Sequence, residues 1–264
     1  MMMSSTHEYD LWQVIRQDAN ELMTQAPELS AWLNDSVLAH NDFASALAQL
    51  LSNKLSNDMV VQPDLNALFV NVLSSEPELI EAALIDLSAC FERDPACEYH
   101  LMPLLYFKGY QSIQAQRLAH HAWHSKKTSL AYFIQSQMSV CFGVDMHPAV
   151  QLGKGIMLDH ATGVVMGETT IVGNNVSILH GVTLGGCGIS DGVRHPNIGD
   201  GVLISAGAKI LGAVSVGEGA KIAAGSLVLE DVPEHSTVAG VPARIVGKPK
   251  SDLPATEMDQ SLEG

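Results

Sequence analysis

Aromatic side chains are absent beyond Phe142, although the 264 residues include three tryptophans, five tyrosines and six phenylalanines. The second half is therefore not built around large rings, which need a wide interior. Cysteine is also scarce, and its four occurrences form no C-x-x-C pair. This pattern excludes a disulfide framework and a structural zinc site. Because it suits a reducing compartment, we expect a cytoplasmic protein.

Basic residues are few as well, with 14 Lys and Arg against 29 Asp and Glu, which gives a formal net charge of −15. A chain this acidic lacks the basic face that binds nucleic acid or an anionic membrane. Its apolar runs are short and broken by charge, so we expect no transmembrane helix. The first residues lack a basic segment followed by an apolar one, and we expect no signal peptide.

Glycine divides the chain, because 19 of the 22 glycines lie between residues 144 and 250. Two halves of such different composition predict two domains. We expect a helical domain over residues 1–142. A glycine-rich domain follows over 143–250, and a flexible tail over 251–264. In the first half, apolar residues at helical spacing predict helices that include 76–91 and 109–123.

From Met146 onward an aliphatic residue recurs at every sixth position. The series runs Met146, Leu152, Leu158, Val164, Val172, Ile178, Leu184, Ile198, Ile204, Ile210, Val216, Ile222 and Val228. Two residues are in excess between Val164 and Val172, and an eight-residue insertion follows Leu184. The fifth position of each unit is compact, with Glu168 as the exception. Such units predict one short strand and one turn each, three to a coil, in an α + β protein with a left-handed parallel β-helix of hexapeptide repeats.

Polar residues that break this repeat are the candidates for chemistry, because a regular coil presents plain faces. His160 and Asp145 lie fifteen residues apart, close to one coil, so we expect them to touch. A carboxylate on one imidazole nitrogen leaves the other free as a general base. The alternative is a solvated histidine beside a solvated aspartate. His195 lies in the insertion and is placed to reach the same point from a neighbouring subunit.

Several runs carry a resemblance to a known family: V-D-M-H-P from Val144, D-H-A-T-G from Asp159, T-L-G-G from Thr183, R-H-P from Arg194 and G-V-P-A-R from Gly240. With R-D-P-A from Arg93 and Y-F-K-G-Y from Tyr106, they closely resemble the serine O-acetyltransferases. The resemblance extends to about Lys248. The hexapeptide pattern is common to many acyltransferases, whereas the helical domain together with D-H-A-T-G is more specific.

The resemblance implies acetyl transfer from acetyl-CoA to the hydroxyl of L-serine, the first step of cysteine synthesis from serine. It implies that His160, oriented by Asp145, removes the hydroxyl proton and that His195 assists. Arg194 would bind the serine carboxylate, while Asp94 and Asp159 would hold the ammonium group.

Acetyl-CoA would lie in a groove between coils of two subunits, as co-substrate and without a metal. Small residues that would admit its pantetheine arm are Gly186, Ala206 and Ala224, and the Gly186 N–H is placed for the developing oxyanion. Lys221, Arg244 and Lys248 are candidates for the CoA phosphates. A solvated side chain is the alternative for each of these three cations.

The resemblance also implies a homotrimer or a dimer of trimers, and inhibition by L-cysteine through Asp94, Asp159 and Arg194. Relatives that dock onto O-acetylserine sulfhydrylase do so through an extended C-terminal tail that ends in isoleucine. This sequence ends in glycine, so we expect weak or absent docking.

Three other functions compete with this hypothesis. A hexapeptide acetyltransferase for a sugar or drug hydroxyl would share the coil and a catalytic histidine, but it lacks this helical domain. A γ-type carbonic anhydrase needs three converging histidines for zinc. His147, His160, His180 and His195 make it conceivable, but the cation of Arg194 opposes it. A purely structural solenoid leaves the polar cluster at the insertion unexplained.

Overall fold

A computed structural model describes residues 5–188 and 192–262, which form two compact units that meet between Phe107 and Lys108. The first unit is helical. It contains α1 (Ser5–Gln25), α2 (Ser30–Leu33), α3 (Phe43–Leu55), α4 (Gln62–Ser75), α5 (Pro77–Arg93) and α6 (Leu101–Tyr106), with a 3-10 turn at Pro27–Leu29 and a π turn at Asn34–Leu38. The predicted helix over 76–91 is confirmed as α5.

The second unit starts with α7 (Lys108–His124) and α8 (Thr128–Phe142), so the predicted helix over 109–123 is also confirmed. Short strands follow: β1 (Val144–Met146), β2 (Gln151–Leu152), β3 (Met157–Leu158), β4 (Val164–Met166), β5 (Ile171–Val172), β6 (Ser177–Ile178), β7 (Thr183–Gly185), β8 (Asn197–Ile198), β9 (Leu203–Ile204), β10 (Lys209–Leu211), β11 (Ser215–Val216), β12 (Lys221–Ile222), β13 (Leu227–Val228), β14 (Thr237–Gly240) and β15 (Ala243–Gly247).

The strands form three sheets, one for each side of a prism. The first face is β1-β4-β7-β10-β13, the second is β2-β5-β8-β11, and the third is β3-β6-β9-β12-β14-β15. Every pairing is parallel except that of β14 with β15. From β1 to β14, consecutive strands lie on different faces, so the chain turns a corner after each strand, whereas β14 and β15 form a hairpin on the third face. The predicted fold, a helical region followed by a parallel β-helix, is confirmed.

The position of the two-residue excess is a correction to the sequence prediction. Met146 pairs with Met166, and Met166 pairs with Leu184, so Met166 rather than Val164 holds the repeating inward position. The extra residues therefore lie before β4, in the corner between β3 and β4. Both Val164 and Met166 are buried, and two apolar residues at strand spacing cannot be ranked by period alone. With Met166 first, the fifth position is Thr170, fully buried, and Glu168 is no longer an exception.

The eight-residue insertion lies between β7 and β8, as predicted. The ladder is continuous around it, because Leu211 pairs with Gly185 on one side and Val172 pairs with Ile198 on the other. Residues 189–191 of the insertion lie outside the described residues.

The domain boundary differs from the predicted one after residue 142, because α7 and α8 belong to the same unit as the strands. Side chains of α7 bond to the solenoid backbone: Gln116 Nε2 donates to the Val150 carbonyl oxygen at 2.7 Å, and Arg117 Nη2 donates to that of Gly153 at 2.7 Å. Because α7 and α8 contain aromatic residues as the earlier helices do, composition could not show that they pack with the strands.

The tail is also more ordered than predicted. Residues Pro254–Glu257 form α9, and Ala255 is fully buried. The Ser177 hydroxyl donates to the Ala255 carbonyl oxygen at 2.8 Å, which seats this segment on the third face. The last two residues lie outside the described ones. Within residues 5–188 and 192–262, no helix combines the length and the apolar character needed to cross a bilayer.

We expect Gly109→Ala to destabilise the protein, although alanine usually favours a helix over glycine. A methyl group at Gly109 would overlap the backbone carbonyl of Leu158, which cannot move without disturbing β3. The free energy of unfolding, measured in urea, should fall by about 3 kcal/mol.

The matched control is Gly247→Ala, where the added methyl group meets open space. This variant should change the unfolding free energy by less than about 0.5 kcal/mol. Equal stability of the two variants would contradict the close packing of α7 on β3.

Candidate active site

One edge of the prism, between the third and first faces, has a repeated corner in which a glycine takes a left-handed conformation. The φ angles are 68° at Gly143, 77° at Gly163, 68° at Gly181, 71° at Gly207 and 66° at Gly225. Successive corners are bonded, since Gly181 N–H donates to Thr162 O at 2.9 Å and Gly207 N–H donates to His180 O at 2.9 Å. The residue before each glycine therefore stacks in a column along this edge.

His160 bulges from this column. It and Ala161 are the two extra residues, and both have positive φ, 56° and 59°. Non-glycine residues adopt this conformation at a cost, and neighbouring pairs of them mark special sites. The side chain of His160 is 72% exposed, and its Nε2 lies 3.6 Å from Asp159 Oδ2. Its ring centroid is 5.8 Å from that of His180, in an edge-to-face arrangement.

Above His180 the same column contains Ala206 and Ala224, which are half-buried and exposed. At the adjoining Gly207 and Gly225, even an added methyl group would meet nothing within 4 Å. The edge beyond the two histidines is therefore lined by small residues and open, which suits the approach of an extended ligand to the backbone.

Asp145 lies on the first face, on the exposed side of β1. Its Oδ1 accepts a hydrogen bond from Gln135 Nε2 of α8 at 2.7 Å. Among the hydrogen bonds and ion pairs of the described residues, no bond joins Asp145 to His160. The nearest carboxylate partner of His160 there is Asp159. The predicted contact between His160 and Asp145 is thus not formed within this chain.

His195 lies at the other edge of the first face, where this face meets the second face. Its ring lies directly over Gly167, where a Cβ would overlap it. Its Nε2 lies 3.3 Å from the point where a Cβ of Gly186 would be. Thr169 bonds to the other side of the ring: its N–H donates to Nδ1 at 3.2 Å, and its Oγ1 lies 2.9 Å from Nδ1. His195 is 8% exposed.

Charges around His195 favour the neutral imidazole. Burial and then the Arg194 cation lower the pKa of His195, and Glu168 partly opposes them. Arg194 Nη2 donates to Glu168 Oε2, and this bond lowers the pKa of Glu168. His147 completes the group, with its ring edge-to-face to Trp123 at 5.1 Å. Burial is the main cause that lowers the pKa of His147.

The predicted phosphate-binding cations differ in access. Lys221 is only 4% exposed; its Nζ donates to the Ser261 carbonyl oxygen and lies 4.0 Å from Asp259 Oδ2. The C-terminal segment thus encloses Lys221, and its role in binding the CoA phosphates stays a prediction. Arg244 and Lys248 are exposed, and Arg244 Nη1 lies 3.8 Å from Glu230.

The remaining predicted residue, Asp94, lies in the first unit. Its Oδ1 accepts from the Ala96 N–H at 2.9 Å and so closes the predicted turn after α5. Within the described part of the chain, no three His, Cys, Asp or Glu side chains converge as metal ligands. The structure instead separates the histidines into His160 with His180 and His147 with His195, on opposite edges of the first face.

Sequence reasoning missed Gly167 and Thr169, which seat the His195 ring. The available signal was the repeat itself, which the sequence analysis had counted from Val164. Counted from Met166, the repeat places Gly167 and Thr169 at a corner next to the insertion. It also missed Lys108, whose Nζ donates to Thr162 Oγ1 beside His160.

Comparisons with known proteins find similarity over most of the chain. The family model "Serine acetyltransferase, N-terminal" matches residues 11–115, and "Bacterial transferase hexapeptide (six repeats)" matches residues 195–230. The serine acetyltransferase of Escherichia coli strain K12 is 49% identical over 254 residues, which cover 96% of this chain and 93% of that protein.

Solved structures extend the likeness to three dimensions. The crystal structure of serine acetyltransferase from Vibrio cholerae has a TM-score of 0.96 at 47% identity and covers 97% of this chain and 100% of its own. A serine acetyltransferase in complex with cysteine has a TM-score of 0.94 at 48% identity, covering 96% and 99%. The Brucella abortus enzyme in complex with coenzyme A has a TM-score of 0.89 at 46% identity, covering 90% and 96%.

Proposed function

This chain belongs to the serine acetyltransferase family, and on that premise we propose how its own residues perform the reaction. The enzyme transfers acetyl from acetyl-CoA to the hydroxyl of L-serine and releases O-acetyl-L-serine and CoA, the first step of cysteine synthesis from serine. The observation that carries the assignment of residues is the two-residue bulge that exposes His160 at the foot of an open edge.

His160 is the general base. Its side chain is exposed, so a ring nitrogen can approach the substrate hydroxyl and accept its proton. It takes the proton of the serine hydroxyl as that oxygen attacks the thioester carbon. The carbon–sulfur bond then breaks, and the sulfur of CoA leaves with the proton that His160 had accepted. Orientation of His160 by Asp145 stays a prediction, and Asp145 Oδ2 could accept from the imidazole while Oδ1 keeps its bond from Gln135.

The complete site lies between two copies of the chain. His160 and His195 occupy opposite edges of the first face, so one chain does not bring them to one substrate. A cyclic assembly that sets the His160 edge of one copy against the His195 edge of the next brings them together. A homotrimer, alone or as a dimer of trimers, is the assembly that we propose.

Serine is held by its charged groups. Arg194 binds the carboxylate while Glu168 fixes one side of its guanidinium, which pre-sets the geometry of the fork. Asp159, beside His160, holds the ammonium group, and the role of Asp94 stays a prediction. L-cysteine carries the same two charged groups, so it occupies the same place and inhibits the enzyme; a relative has been crystallised with cysteine.

Acetyl-CoA follows the open edge past Ala206 and Ala224, and the Gly186 N–H faces the developing oxyanion. The phosphates meet the exposed cations Arg244 and Lys248 rather than the enclosed Lys221. The alternative acceptors, a sugar or a drug, lack the amino-acid charges that Arg194 and Asp159 would bind. A cytoplasmic location and weak docking to the sulfhydrylase stay predictions.

Replacement of the base tests the assignment directly. His160→Ala should lower kcat for serine-dependent thiol release from acetyl-CoA by at least about 100-fold, because the proton loses its acceptor. The KM for acetyl-CoA should stay within about twofold, since the imidazole does not line the open part of the edge.

His124→Ala, which removes an exposed imidazole on α7, is the control and should retain full activity. Glucosamine, a sugar amine, serves as the competing acceptor. A His160→Ala enzyme with most of its kcat would remove His160 from the mechanism, and faster turnover of the sugar by the unaltered enzyme would refute serine as the substrate.

The site between two copies predicts complementation. His160→Ala and His195→Ala proteins should each be inactive alone. In co-expressed mixed trimers, about one quarter of the sites should combine an intact His160 with an intact His195 and restore that share of activity. Activity no higher than that of the single variants would place both histidines in one chain's site.

The two substrates should respond to different cations. Arg194→Ala should raise the KM for serine at least about tenfold and leave that for acetyl-CoA nearly unchanged, because it removes a charge-assisted pair to the carboxylate. Arg244→Ala should act in the opposite sense. Steady-state kinetics with each substrate varied in turn makes the comparison, and equal effects of both variants on both substrates would contradict it.

A further inference from the structure

Thr169 makes hydrogen bonds to both Arg194 and His195. Its Oγ1 accepts from the backbone N–H of Arg194 at 3.0 Å and from that of His195 at 3.1 Å. Two accepted bonds use both lone pairs of a hydroxyl, so its single proton is left to donate. The group within reach of that proton is Nδ1 of His195, at 2.9 Å.

The backbone of Thr169 favours the same tautomer of the His195 ring. Its N–H, which can only donate, points to His195 Nδ1 at 3.2 Å. Nδ1 therefore carries no proton, and in the neutral ring the proton lies on Nε2. Burial and the charge of Arg194, opposed in part by Glu168, keep that ring neutral, with His147 acting in the same sense as Arg194.

Nε2 of His195 makes no hydrogen bond to any described residue, and the residue is 8% exposed. Its N–H therefore has a hydrogen bond left to donate to a substrate. Packing on Gly167 and the proximity of Gly186 fix the direction in which the ring presents this N–H.

We propose that Thr169 is a positioning residue: it anchors Arg194 and His195 by their backbone and holds His195 as an Nε2–H donor. This inference rests on the proposed function. In that reaction His195 donates a hydrogen bond to the thioester carbonyl oxygen as negative charge develops there, and no proton leaves the ring. Thr169 touches no substrate; it acts through the two residues that do.

The chain offers a matched control at the next position. Thr170 is fully buried, and its hydroxyl has no hydrogen-bond partner among the described residues. Thr169→Val and Thr170→Val therefore remove the same hydroxyl from adjacent residues of one corner, yet only the first loses hydrogen bonds. Thr169→Ser keeps the hydroxyl, and Thr169→Ala removes it without the added methyl group of valine.

The test measures serine-dependent thiol release for all four variants and the unaltered enzyme. Thr169→Val and Thr169→Ala should lower kcat about 10- to 100-fold, with little change in the KM for acetyl-CoA. Thr169→Ser should regain activity to within about threefold of the unaltered enzyme, and Thr170→Val should equal it. Thermal unfolding verifies that each variant is folded, and alanine substitutes if the valine protein is not.

A spectroscopic measurement separates positioning from general stability. In protein labelled with 15N-histidine, the His195 ring, assigned by its loss in His195→Asn, should show a bare Nδ1 and a protonated Nε2. Thr169→Val keeps the backbone N–H donor but loses the hydroxyl, so it should raise the population of the minor Nδ1–H tautomer, whereas Thr170→Val should not.

Two results would overturn the inference: equal kcat for Thr169→Val and Thr170→Val, or a proton on Nδ1 of the unaltered enzyme. Failure of the proposed function would look different, because the unaltered enzyme would then release no thiol in the presence of serine.

Discussion

The inward aliphatic side chain at every sixth residue is the constraint on which the second unit depends. It sets the length of each strand and the position of each corner, and it leaves the interior of the prism too narrow for aromatic rings. Residues in excess of the period do not join the strands; at the corner between β3 and β4 one of them, His160, is exposed, while the other, Ala161, is buried. The two places where the chain departs from the period are the His160 corner and the insertion with Arg194 and His195. The residues proposed to take part in the reaction therefore lie where the repeat is interrupted.

The period made the fold predictable, since Met146, Ile178 and Ile222 all point inward as their spacing indicates. It could not place the two-residue excess, because Val164 and Met166 are both apolar and both buried. That ambiguity hid the Gly167–Thr169 corner and made Glu168 look irregular. Sequence also could not show that Lys221 lies under the C-terminal segment, since burial of a cation depends on a distant part of the chain.

The candidate residues were identified largely by resemblance, and the structure adds how they are held. His160 is presented by backbone conformation, with two consecutive left-handed residues, while His195 is held by packing and hydrogen bonds. The expected pair of His160 with Asp145 illustrates the limit of counting residues. A separation near one coil places two residues on neighbouring coils, but one lies at a corner and the other on a flat face with its own partner, Gln135.

The ladder crosses the insertion without interruption, because Gly185 and Asn197 keep their neighbours on the coils above and below. Strand pairing therefore does not depend on the length or composition of the insertion between β7 and β8. Under the proposed roles, proton removal and carboxylate binding are encoded in separate stretches of sequence, the corner between β3 and β4 and the insertion between β7 and β8. A descendant could therefore replace Arg194, and with it the acceptor that this residue binds, without altering the coils or the corner that exposes His160.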